Sequence, residues 1–136
     1  MTAMHCSLGV DEDPWNAARR LVRFSRVAAR LSRLPRLEPR ALRTIIAGMM
    51  KDLATVGAHL GELGIGLEEW RPVVERCGRL LNEVGRAVAT VEALMAAEAP
   101  GRHEEALRRL AEILGGDECM GRLRAVLENR VNGATS

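Results

Sequence analysis

Apolar side chains recur along this chain in steps of three and four residues, and the recurrence runs longest between Leu42 and Met95. One run is Leu42, Ile46, Met49, Leu53, Val56, Leu60 and Leu63. A second is Trp70, Val74, Cys77, Leu81, Val84, Val88, Val91 and Met95. Such steps keep a seam on one side of a helix, as in coiled coils. Gly64-Ile65-Gly66 separates the runs, where glycine lets the chain reverse by tolerating φ > 0. The expected centre of the fold is a heptad-patterned hairpin of two antiparallel helices, at about 39–63 and 68–97.

Shorter periodic segments flank the hairpin. Asp13-Pro14 opens a first helix as N-cap and first helical residue. Its seam is Ala17, Leu21, Phe24, Ala28 and Leu31, and Pro35 ends it by pushing Leu34 out of the helical region. Pro39 opens the second helix. Glu68 and Glu69 suit the start of the third, where Pro72 is tolerated, and Pro100-Gly101 stops it. Two further helices are expected at 102–114 (His103, Leu107, Leu110, Leu114) and 118–131 (Met120, Leu123, Leu127, Val131). Gly115-Gly116 ends one, Asp117 caps the next, and Asn132-Gly133 stops it. No segment alternates as a strand does.

The pattern therefore predicts an all-α protein, an antiparallel helical bundle of about five helices. Residues 13–131 form one domain, between a flexible N-terminal arm at 1–12 and a frayed tail at 132–136. Val73, Leu80, Ala87 and Leu94 add a second apolar row to the third helix, which places it centrally against at least two neighbours. Gly78 and Gly85, seven apart on its flank, are expected to let another backbone come close.

Composition narrows the picture. Of 136 residues 47% are hydrophobic, enough for a packed core, and Trp15, Phe24 and Trp70 are the only aromatics, so that core is aliphatic. Every basic residue but Lys51 is arginine, the bias of a high-GC bacterial genome. Cys6, Cys77 and Cys119 show no ligand spacing. With no charged-then-apolar leader and no membrane-length apolar run, they point to a reducing, cytoplasmic setting, with Cys77 an inert core residue.

Charge is divided more sharply than the net +2 suggests. From Pro14 to Arg43 nine arginines face one acid, Glu38, a net +8; from Thr44 onward eleven basic residues face fourteen acidic, a net −3. Arg19, Arg23, Arg26, Arg30 and Arg33 fall on one arc opposite the Leu21/Phe24 seam, where like charges at i,i+4 repel. They are the candidate partner- or anion-binding residues. Their counterpart is an acidic protein, nucleic-acid phosphate, an anionic membrane surface or the bundle's own acids, or else the face is simply solvated.

Leu110 to Gly115 followed by Asp117 to Leu123 resembles a helix-turn-helix, which implies DNA binding. Gly116 and Gly121 stand where that motif buries aliphatic side chains, and Asp117 and Glu118 repel phosphate. The Ala-rich apolar face of the first helix is needed to complete the bundle, which argues against membrane attachment. His5, His59 and His103 belong to no metal or ribonuclease motif, and phosphate-loop and nucleophile-elbow motifs are absent, so no catalytic residue, metal or cofactor is expected. The expected function is a non-catalytic adaptor or regulator acting through protein–protein contact, self-association included. The alternatives are a DNA-associated regulator using the basic first helix, and a small-ligand-binding or enzymatic bundle.

Overall fold

The computed structural model describes residues 13–97 and 103–135. The predicted arm at 1–12 and the stop at Pro100-Gly101 lie outside them. Among the described residues the chain is all-helical, with no strand. The elements are α1 (Pro14–Ala28), a single 3-10 turn η1 (Leu31–Arg33), α2 (Pro39–Ala58), a one-turn α3 (Leu60–Leu63), α4 (Leu67–Ala97), α5 (Glu104–Gly116) and α6 (Glu118–Thr135). α1, α2, α4 and α6 pack in a closed ring in that order, and α5 covers one end against α4, η1 and α1.

The core is aliphatic as expected. Leu21, Leu42, Met49, Val56, Leu81, Val88, Leu107, Leu114, Leu123 and Leu127 are essentially sealed from solvent. α4 touches α2, α5 and α6, and at about 46 Å its 31 residues span the bundle. The buried face of α1 is Ala17, Ala18, Leu21, Val22, Ser25 and Ala28, rotated from the expected seam, so Phe24 is only partly covered. Small residues on that face let α1 sit deep between α2 and α6.

Capping follows the sequence at three places. Asp13 Oδ1 accepts the Trp15 N–H at 2.9 Å. Gly64, at φ 70°, closes α3 in the left-handed region, and the Ile65 N–H reaches back to the Leu60 carbonyl. Asp117 Oδ1 accepts the Cys119 N–H at 2.8 Å and starts α6 after a one-residue joint. Burial works against the Asp117 charge, but that N–H and the Arg76 guanidinium at 3.0 Å outweigh it and hold the carboxyl below its ordinary range. A lowered folded-state value stabilises above the unfolded one. The contribution is therefore complete near neutrality and lost as pH falls below ~4. Asp117→Asn, which keeps a capping oxygen, should be less stable than the parent at pH 7, with the gap closing in an acid titration.

Four expectations about where the helices begin and end need correction. Leu34 is extended as expected, but the first α-helix already ends at Ala28: α5 crosses its last turn at Gly115, and Arg108 Nη1 donates to the carbonyls of Ser32 (2.5 Å) and Leu34 (2.8 Å). Those carbonyls are satisfied by a guanidinium instead of by a continuing helix. The second helix breaks at His59 (φ −132°, ψ 34°), whose Nδ1 bonds the Thr55 carbonyl, so α3 is separate from α2. Pro72 sits in the second turn of α4, because that helix begins at Leu67. The last helix runs past Asn132-Gly133 to Thr135, held from α6 by Arg130, which donates to the Gly64 carbonyl and pairs with Glu69.

Gly78 and Gly85 do not serve close packing within the chain. Among the described residues, and apart from the helix's own backbone, no atom lies within 4 Å of a Cβ placed on Gly78, and Gly85 meets only Ile46 Cγ2 at 3.6 Å. The close backbone approach is elsewhere, at Gly115. A Cβ there would stand 2.3 Å from the Ala28 carbonyl oxygen.

Cys77 and Cys119 form a disulfide between α4 and the first turn of α6, with Cα atoms 5.2 Å apart and both residues buried. The expectation of an unpaired Cys77 is overturned. Two cysteines 42 positions apart, without a recognisable spacing, meet because α5 reverses the chain back along α4.

Candidate functional site

The five arginines singled out from the sequence have different fates. Arg19 donates to Asn16 Oδ1 at 2.7 Å along its own helix, and Arg26 pairs with Glu128 of α6. Arg26 thus ties α1 to α6, whereas the Arg19 bond stays within α1. Arg23, Arg30 and Arg33 are exposed and make no side-chain hydrogen bond or ion pair among the described residues. The three do not share one helical face, because the chain leaves the α-helix after Ala28.

The unpaired charge continues beyond the predicted set. Arg36 and Arg40 are also exposed and unpaired among the described residues, whereas Arg43 pairs with Glu92 of α4 at 3.0 Å. Glu38 is the one acid between Pro14 and Arg43 in the sequence, and on the adjoining α5 Glu104 pairs with Arg108. Unpaired arginines elsewhere keep carboxylates close: Arg79 stands one turn from both Glu75 and Glu83. Val27 (39%) and Leu34 (38%) leave apolar surface open within the same stretch.

The corner is well anchored. Leu31 and Leu37 are buried, and Arg108 binds the two carbonyls between them. The exposed residues of the connector thus project from a backbone fixed at both ends.

Sequence reasoning missed the polar contacts behind this surface. Arg20 makes a two-pronged bond to Asp52, Nε to Oδ2 at 3.1 Å and Nη2 to Oδ1 at 2.9 Å. Asp52 is the single acid between Pro39 and Ala58 and falls on the apolar stripe of α2, a signal that could have been read. Its side chain is 2% exposed against 32% for Arg20, and that difference predicts an asymmetry. Arg20→Ala strands a buried carboxylate and should cost about 3 kcal/mol, whereas Asp52→Asn leaves a guanidinium that water can reach and should cost about half as much. Chemical denaturation of the two variants measures the difference. Ser25, fully buried, donates to the Val22 carbonyl and accepts from Arg124 Nη1 at 3.1 Å.

The remaining candidate features are structural. α5 and α6 make few contacts with each other beyond their joint, unlike the packed helix pair of a helix-turn-helix. Met120 and Leu123 of the would-be reading helix are buried. A hollow of about 390 Å³ between α2 and α4 is lined by Arg43, Thr44, Ile46, Ala47, Met50 and Gly85. It is open and mainly apolar, and its one charge is held by Glu92. No group of three or more metal-ligating side chains occurs among the described residues, and no helix among them is long and apolar enough to cross a membrane.

Compared with protein families, curated proteins and solved structures, the chain matches none.

Proposed function

We propose that this protein is a non-catalytic helical-bundle adaptor or regulator that works by binding another protein, a second copy of itself included. The observation that carries the reading is the set Arg23, Arg30, Arg33, Arg36 and Arg40, exposed and unpaired among the described residues and interleaved with accessible Val27 and Leu34. Arginine and exposed apolar side chains together are the composition of protein interfaces. Cations without local counter-charge also steer an oppositely charged partner. Light scattering, with affinity capture from the producing organism, tests the reading. A stoichiometric complex with an identified protein, or a dimer, is the expected result; a strict monomer that retains no protein overturns it.

A DNA-associated role is the second reading, favoured by the same five unpaired guanidinium groups. It requires duplex binding that weakens steeply with salt. The cytoplasm remains the proposed location, and there the sealed position of both sulfurs would have to protect the Cys77–Cys119 bond from cellular thiols.

A further inference from the structure

The corner between α1 and α2 carries more than a general preference for anions. Four of its exposed residues are Arg30, Arg33, Arg36 and Arg40, all unpaired among the described residues. Leu34 lies between Arg33 and Arg36 and is 38% exposed, next to exposed Pro35. An apolar centre flanked by guanidinium groups combines the two side-chain types that dominate binding energy at protein interfaces. The connector is held from beneath by Leu31, Leu37 and the Arg108 bonds, so little ordering of this backbone accompanies docking.

We infer that this corner is a docking site for an acidic protein segment that carries an apolar side chain among its carboxylates. The inference rests on the protein-binding reading above and names its partner's chemistry. Carboxylates satisfy the arginines, by forked pairs where geometry allows, and the apolar residue covers Leu34. A nucleic-acid backbone would meet the charge but leave Leu34 without a partner. Nor does this corner present a helix to a groove: it is one 3-10 turn, an extended link and the first turn of α2.

The experiment uses the full chain and a labelled peptide of four Glu-Glu-Leu repeats, followed by fluorescence anisotropy. Controls are the same peptide with glutamine for glutamate, and a DNA duplex of similar charge. Two variants are compared with the parent: one with Arg30→Gln, Arg33→Gln, Arg36→Gln and Arg40→Gln together, and one with Leu34→Ser. The replaced arginines make no hydrogen bond or ion pair among the described residues and Leu34 is partly exposed, so circular dichroism should show both variants folded. The acidic peptide should bind the parent, and the four-glutamine variant should bind it at least about tenfold more weakly. Leu34→Ser should lose a few-fold, and the glutamine peptide should not bind. Failure of the acidic peptide to bind, equal binding to the four-glutamine variant, or tighter binding of the duplex overturns the inference. Those results would leave the adaptor reading standing wherever capture still recovers a partner, whereas a partnerless monomer removes both.

Discussion

Gly115→Ala should destabilise the protein by about 2 to 3 kcal/mol, the cost of forcing an extra methyl group into a closed contact. The sign is what makes the result informative. Gly115 lies inside α5, where alanine normally gains up to about 1 kcal/mol over glycine. Here the new Cβ would stand 2.3 Å from the Ala28 carbonyl oxygen, 2.9 Å from its carbon and 2.9 Å from Ala29 Cα. All three are backbone atoms, so no side chain can swing away; α5 must lift from the end of α1. That end is also where the chain turns into η1, so the disturbance reaches the arginine corner. Thermal unfolding should show a midpoint lower by about 10 °C. Gly116→Ala, one residue on with open space around it, is the matched control and should be neutral or slightly stabilising. Equal behaviour of the two variants would contradict the close α1–α5 crossing.

Opening the Cys77–Cys119 bond should cost about 4 kcal/mol, if its effect is mainly to restrict the unfolded chain across a separation of 42 residues. Reduction of the parent and the double variant Cys77→Ala/Cys119→Ala should lower the denaturation midpoint to a similar extent. Helical content should persist, because α6 is also joined to α1 by Arg26–Glu128 and Arg124–Ser25, and to the α3–α4 turn by Arg130. Both sulfurs are buried, so reduction should require partial opening and proceed slowly in native buffer. A midpoint indifferent to reductant would show that the bond contributes little.

Much of the architecture was legible because periodicity reports which face of a helix is buried. Most apolar positions read along α2 and α4 are buried, Gly64 takes the left-handed conformation, and Asp13 and Asp117 act as caps; all of these depend on residues close in sequence. What was illegible depends on distant partners. The early end of α1 is decided by Gly115 and Arg108, which lie on α5. The fate of Arg26 and Arg43 turns on Glu128 and Glu92 coming within reach, and an i,i+4 pattern carries no such information. The cysteine pair likewise follows from how α5 redirects the chain, not from any local spacing. The basic surface extends past the arginines that the periodicity picked out: Arg19 and Arg26 have polar partners within the chain, and Arg36 and Arg40 continue the exposed edge.

The sulfur link encloses the stretch that joins α4 to α5. A protease cutting at Arg102 would consequently yield two fragments that still migrate as one species on a non-reducing gel, and that separate only once thiol is added. The nicked protein would remain a covalent unit, with its two halves unable to diffuse apart.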